Sequence, residues 1–201
     1  MPRVRNHVNP LKLETWARES LVLPSQGEVE VELGCADAQF LFQRAALAPA
    51  RVHIGIEIRV DLVHDVNLRA TTQGLTNLRA VFANINRDLD RLLPDGRVQR
   101  IFINFPDPWF KRRHHKRRLL TPELAAAIER KLAVSGQLLF QSDVWELALD
   151  AMAVLESTDG LVNQRGAWSF LPDHDFGARS LREVRCAAKG LHIWRMLYRR
   201  L

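Results

Sequence analysis

Short apolar runs alternate along this chain with helix-type segments. Runs rich in Val, Ile and Leu predict strands at Glu28–Gly34 (EVEVELG), Arg51–Ile58 (RVHIGIEI), Leu78–Ala83, Gln99–Phe105 (QRIFINF) and Gln137–Ser142 (QLLFQS). Between them the pattern predicts helices at Gln39–Leu47, Val60–Gln73, a short one near Asp88–Leu93, then Pro122–Leu132 and Trp145–Glu156. Thr121 and Pro122 mark a helix start, because threonine caps a first turn and proline gives up an amide that a first turn does not use. From Leu161 the chain reads as a strand, a loop containing Gly and Pro, a short helix from Ser180 and a last strand Leu191–Tyr198. Strands alternating with helices predict an α/β fold with a mainly parallel sheet.

Composition narrows this without changing it. A chain of 201 residues suits one domain with a full-sized core, and apolar and charged shares of 47% and 26% are those of an ordinary globular protein, not a disordered one. No apolar run approaches the ~18 residues of a membrane helix, and the start, MPRVRNHVNP, lacks the apolar core of a signal peptide, so a cytoplasmic protein without membrane association is expected. Cys35 and Cys186 are far apart and outside CxxC spacing. They predict two buried small residues, with neither a disulfide framework nor a metal site.

Charge changes the picture at one place. The stretch NFPDPWFKRRHHKRRL runs from Asn104 to Leu119, and six of the eight residues from Lys111 to Arg118 are Lys or Arg. The chain holds 29 Lys+Arg against 23 Asp+Glu, so this window alone carries its net charge of +6. Such a block repels itself unless solvent or a polyanion neutralises it, and nucleic-acid phosphate is the usual polyanion. A solvated basic loop is the competing reading. The window lies between the fourth strand and the helix at Pro122, on the side where open parallel sheets bind ligands.

Other strand ends add candidate chemistry. Glu32-Leu33-Gly34-Cys35-Ala36-Asp37-Ala38 is a tight turn of small residues that lets a ligand approach the backbone, although it lacks the GxGxxG of a dinucleotide site. Glu57 closes GIEI, where a carboxylate can bind the two hydroxyls of a ribose, and Asn84 ends the third strand, where its amide can read an adenine edge. Three strand ends offering Glu, Glu and Asn suit S-adenosylmethionine better than NAD. Asp107 lies between two prolines, and Trp109 either stacks on a base or caps the core. For Glu32, Glu57 and Asp107 the plain alternatives are a cap partner, a solvated strand end and a turn aspartate bonded to its own backbone.

Together these residues bring out a resemblance. The stretch NFPDPWFKRRHHKRRLL is similar to the F-x-DPW-x-K-x-RH-x-KRR signature of the bacterial tRNA (guanine-N7-)-methyltransferase family. The likeness extends to RVRNHVNPL at Arg3–Leu11, the E-x-G turn at Glu32, GIEI, Ser142-Asp143 and the S-x-x-E of Ser180 and Glu183. It implies one methyltransferase domain over residues 1–201, with residues 1–20 as an extension and lead-in helix. The implied fold is a Rossmann-like seven-stranded methyltransferase sheet, mostly parallel with an antiparallel last strand and helices on both faces. The resemblance further implies S-adenosylmethionine held by Glu32, Gly34, Glu57, Asn84 and Asp107, with Asp107 catalytic. Lys111, Asp143, Ser180 and Glu183 would face the guanosine, and Arg112, Arg113, Lys116, Arg117 and Arg118 would grip the phosphates of tRNA. A monomer or a homodimer is equally compatible with it.

This chain departs from the pattern in a turn poorer in glycine than the usual GxGxG, in Asn84 for a common Asp, and in Ser180 for a commoner Thr. Two alternatives follow: an RNA-binding relative impaired in catalysis, and a methyltransferase for a different substrate. For the implied reaction, guanine N7 carries an exposed lone pair and no proton, so no general base is required. Alignment, and negative charge beside a purine that becomes cationic, are what the protein must supply.

Overall fold

The computed structural model describes residues 8–11 and 20–201, so the expected lead-in helix and Arg3 and Arg5 lie mostly or wholly outside the described residues. The elements run β1 (Val29–Leu33), α1 (Gln39–Leu47), β2 (Val52–Glu57), α2 (Val60–Thr72), β3 (Leu78–Phe82), α3 (Ile85–Leu92) and β4 (Val98–Asn104). A 3-10 turn (Arg112–Arg117) follows, then α4 (Pro122–Lys131), β5 (Leu132–Ser142), α5 (Trp145–Glu156), β6 (Leu161–Asn163), α6 (Leu181–Ala188) and β7 (Trp194–Arg200). The seven strands form one sheet in the order β3-β2-β1-β4-β5-β7-β6. β1 to β5 pair in parallel, and β7 runs antiparallel to both of its neighbours. The chain winds outward from β1 through β2 to β3, then restarts beside β1 with β4. That reversal opens a crevice at the carboxyl ends of β1 and β4.

The period of two along each strand builds two cores. Val29, Val31, Leu33, Ile54, Ile56, Ile101 and Ile103 point to one face and pack with Leu89, Leu124, Ile128 and Leu155 of α3, α4 and α5. Ala80, Phe102, Leu139 and Leu197 point to the other and meet Phe40 and Leu41 of α1 and Val63 and Val66 of α2. Among the described residues, no helix is long and apolar enough to cross a membrane.

Three boundaries differ from the sequence pattern, each for a local reason. β5 begins at Leu132, directly after α4, because a register shift against β4 and a left-handed Ser135 (φ 64°) absorb the irregular Ser135-Gly136 segment. α3 begins at Ile85, where the Asp88 carboxylate accepts the Asn84 amide at 2.9 Å and ties down the helix entry. β7 starts only at Trp194, because the Leu191 amide is spent closing α6 through the Cys186 carbonyl. Thr121 does cap α4, its hydroxyl accepting the Leu124 amide at 3.2 Å with Pro122 behind it.

The second face also buries charge. Glu30, fully enclosed on β1, accepts Arg44 of α1 through both oxygens at 2.8 and 2.9 Å, Arg51 at 2.9 Å and Arg100 of β4 at 2.7 Å. The His53 ring of β2 lies 3.3 Å away. Burial alone would raise the pKa of this carboxyl, but the neighbouring His53 ring and the bonds from Arg44 and Arg100 outweigh it and hold the group far below the ordinary carboxylate range. Arg44 also donates to the Phe176 carbonyl and Arg100 lies over the Phe176 ring, so one carboxylate fastens β1, α1, β2, β4 and the loop before α6. Replacing Glu30 by Ala leaves several guanidiniums without their anion. The expected cost is about 3–5 kcal/mol in a urea or thermal melt.

Candidate active site

The turn after β1 is built from backbone. The amides of Gly34 and Cys35 both donate to the Ile56 carbonyl of β2, at 2.8 and 3.2 Å, which folds the chain back over the strand end. Gly55 makes this possible, since a Cβ there would collide with the Cys35 sulfur. Gly34 has φ 79°, and Ala36 and Ala38 adopt φ 50° and 53°. Alanine thus occupies left-handed positions where glycine costs nothing, and the turn keeps its shape against that strain.

Glu57 and Asn84 also stand at strand ends. The Glu57 carboxylate accepts the amides of Ala36 at 2.9 Å, Ile58 at 2.9 Å and Arg59 at 3.1 Å, together with both sides of the Arg59 guanidinium at 2.9 Å. Arg59, which the sequence reading did not single out, is therefore part of this site. Its only signal was a cation two residues after a strand-end acid. Asn84 is buried and donates its side-chain amide to the Pro10 carbonyl at 2.8 Å, which leaves its amide oxygen as the group for a ligand.

Two adjoining cavities occupy the crevice. The first is lined by the turn, Glu32, Glu57, Arg59 and Asn84; the second by Lys111, His114 and Asp143. Phe105, Pro106, Asp107, Trp109 and Arg182 belong to the walls of both. Asp107 is held there between two left-handed residues, Phe105 at φ 51° and Trp109 at φ 46°, a concentration of strain typical of functional loops. Asp143 is presented where Ser142 accepts the Val144 amide at 3.1 Å and turns β5 into α5, and its carboxylate is paired with Arg182.

Below the cavities a chain of polar side chains crosses the sheet. Asn104 donates to Glu32 at 2.7 Å, Gln141 donates to Asn104 at 2.8 Å, and Arg195 donates to both Gln141 and Glu183, at 3.2 and 2.9 Å. Asn104, Gln141 and Arg195 escaped the sequence reading because they sit inside strand patterns that only the pairing of β4, β5 and β7 aligns. The chain ends badly satisfied at Glu32, whose second oxygen is buried without a partner. Burial pushes the Glu32 pKa up to about 8 against the pull of the Asn104 bond, and the carboxylates of Asp37 and Glu57 add to the rise. A buried acceptor of this kind, aimed at a ligand cavity, suits a cationic group.

Other predicted site residues are placed differently. Ser180 caps α6 and shares a capping box with Glu183, so its hydroxyl accepts the Glu183 amide while lining the first cavity. Glu183 lines neither cavity: Arg179 at 2.6 Å, Arg195 and the His174 ring at 3.2 Å enclose its carboxylate and hold its pKa low, at about 2, although burial opposes them. Asp173, His174 and Glu183 lie close enough to share a cation, but two guanidiniums already neutralise them. In the basic window, Lys111, Arg112, Arg113 and Lys116 are exposed and Arg117 lies over the Trp109 ring at 5.0 Å. Arg118 departs from the phosphate-binding expectation. It is buried, donates to the Pro108 carbonyl at 3.0 Å and pairs with Asp150, and thereby fastens the loop to α5.

Two measurements check this geometry. Ala36→Gly removes a left-handed alanine and is expected to stabilise the fold by about 1 kcal/mol, whereas Ala38→Gly gains less because it also removes a fully buried methyl group worth about 0.8 kcal/mol. For Glu32, the folded state binds its proton more tightly than the unfolded chain, so this stability is complete below pH about 4.5 and is lost as pH rises through about 8. Glu32→Gln cannot ionise. Its melting temperature should gain on the parent's between about pH 5 and pH 9, and a constant gap would show that Glu32 does not carry the proton.

Comparison with known proteins agrees with this site. Residues 26–196 match a family model described as "Putative methyltransferase". The tRNA (guanine-N(7)-)-methyltransferase of Thermosynechococcus vestitus is 37% identical over 98% of this chain and 95% of its own length, and that of Synechococcus elongatus is 36% identical over 98% and 95%. Among solved structures, a SAM dependent methyltransferase from Aquifex aeolicus aligns with TM-score 0.60 at 12% identity, covering 88% of this chain and 84% of that one. The 16S rRNA methyltransferase KamB gives TM-score 0.60 at 13% identity, covering 86% and 87%. At such identities these two bear on the fold alone, whereas the two relatives match over 98% of this chain at 36–37% identity: the chain belongs to the tRNA (guanine-N7-)-methyltransferase family.

Proposed function

We propose that this chain, acting as one methyltransferase domain in the cytoplasm, transfers the methyl group of S-adenosylmethionine to N7 of a guanosine in the variable loop of tRNA. The observation that carries the reading is the position of Asp107, on the wall common to the two cavities. A methyl donor and an acceptor base must meet within bonding reach, and a residue touching both compartments stands where they meet.

The first cavity fits the cofactor. S-adenosylmethionine, when bound, would supply an electrophilic methyl group on a positively charged sulfur, open to a nucleophilic lone pair such as that of guanine N7. The unpartnered Glu32 oxygen suits its ammonium group, whose charge would favour the ionised carboxylate; the Glu57 carboxylate suits the ribose hydroxyls where they replace its two bonds from the Arg59 guanidinium; and the Asn84 amide oxygen suits the adenine amino group. The turn at Gly34 leaves room for close approach along the backbone.

The second cavity suits the guanine. Asp107 and Asp143 offer acceptors for the N1 and N2 hydrogens, and Asp107 adds negative charge near a purine that becomes cationic. Arg182 holds Asp143 in place, and Lys111 lines the same cavity. Outside, the exposed Lys111, Arg112, Arg113 and Lys116 present cations to the phosphate backbone, which fixes register without reading sequence.

Incubating tRNA with the protein and labelled cofactor, followed by nucleoside analysis, should yield 7-methylguanosine. Asp107→Ala is expected to lower turnover on the order of 100-fold or more while tRNA affinity stays within a few-fold, since phosphate contacts supply most of that affinity. Calorimetry separates the alternatives: tRNA binding without cofactor heat indicates an inert relative, and cofactor heat without 7-methylguanosine indicates a different substrate.

A further inference from the structure

The substrate cavity has two unlike flanks. On the β4 side lies the basic window. On the β5 and β7 side lies a group of rings: Trp145 and Trp194 with centroids 4.2 Å apart, Phe170 at 5.0 Å from Trp194, and His192 at 3.9 Å from Trp194. Sheet pairing puts this group at the cavity, because Trp194 pairs with Ser142, the residue before Asp143, and Trp145 opens α5 two residues after it. Val144, between Asp143 and Trp145, lines the cavity itself.

Phe170 packs against the first core, but core packing does not account for Trp145 and His192. Trp145 keeps 44% of its surface in solvent and His192 is also exposed, although an indole gains most from full burial. The exposed charges of α6 and its closing turn are Arg185 and Lys189, Glu146 follows Trp145 on α5, and the Asp143 carboxylate is paired with Arg182. Exposed rings next to a cavity that Arg182 lines, with Lys189 at the end of α6 three residues before His192, have the composition of a single-strand nucleic-acid surface. A phosphate clamp on one side only would also leave an energetic gap. Drawing a guanosine into the cavity unstacks it from a neighbour, and that neighbour's bare face needs a partner.

Resting on the proposed function, we infer that Trp145, Trp194 and His192 form a stacking ledge for a nucleotide adjacent to the target guanosine, so that tRNA is gripped by phosphate contacts on the β4 side and by base stacking on the β7 side. Stacking tolerates any base, so the ledge adds affinity without adding sequence preference.

The test compares Trp145→Leu, Trp145→Phe and His192→Ala with the parent, using thermal melts to confirm folding and sedimentation to record association state. With tRNA as substrate, Trp145→Leu is expected to raise KM and tRNA Kd about tenfold, the loss falling on KM more than on kcat. Cofactor Kd should match the parent's, Trp145→Phe should recover most of the loss, and His192→Ala should show a smaller shift of the same kind. A short single-stranded RNA should quench parent tryptophan fluorescence, and less so in Trp145→Leu. Unchanged KM and Kd in folded Trp145→Leu and His192→Ala overturn the ledge, as does conversion of a dimer to monomer with tRNA affinity intact, which makes the rings a contact between two copies. If the parent forms no 7-methylguanosine, the functional reading falls, while the oligonucleotide quenching still decides the ledge.

Discussion

Burying two carboxylates on one central strand is the constraint around which this molecule is organised. Glu30 and Glu32 point to the same face of β1, two residues apart, and neither reaches solvent. An isolated buried carboxylate is too costly to keep charged, so each must be matched or protonated. Glu30 is matched by Arg44, Arg51 and Arg100, and those arginines come from elements that close the amino-terminal half of the sheet. Glu32 has Asn104 alone, and burial pushes its pKa up to about 8. The same residue type, one pleat apart, is a rivet at one end of the strand and an unfilled acceptor at the other. The first cavity begins at the unfilled end.

The polar chain from Glu32 through Asn104 and Gln141 to Arg195 and Glu183 ties this end of the sheet together. It links four strands and α6 beneath both cavities, so the floor of the site is rigid. Strain is concentrated above it, in the alanines of the first turn and in the residues on either side of Asp107. A stiff floor that over-determines strained loops is how a fold holds reacting groups in an orientation that the loops alone would abandon.

The basic window shows how charge divides its labour when a run of like charges meets a folded surface. Its first members stay in solvent, Arg117 leans on Trp109, and Arg118 turns inward to Pro108 and Asp150. One arginine therefore pins the loop from beneath, and the rest project from it. Without that anchor the mutual repulsion of the window would favour an extended loop, and Asp107 and Trp109 would lose their common wall with Asp143.

Much of this was legible in the residue pattern, because strands, crossover helices and the Thr121-Pro122 cap are local consequences of periodicity and backbone chemistry. The DPW loop was legible because its charge is concentrated in one window and its proline bracket is rare. Glu32, Glu57, Asn84 and Asp107 could be placed at strand ends for the same reason, since a strand's end is read from where its apolar run stops. Partnership was not legible. Whether Glu183 faces a substrate or three basic side chains, whether Arg118 grips phosphate or Asp150, and whether Glu32 has a second partner all depend on residues 4 to 72 positions away. A carboxylate carries the same charge in every sequence. What surrounds it is decided only when the sheet brings distant strands side by side, and that desolvation and pairing determine whether it is a structural clamp or a group left for a ligand.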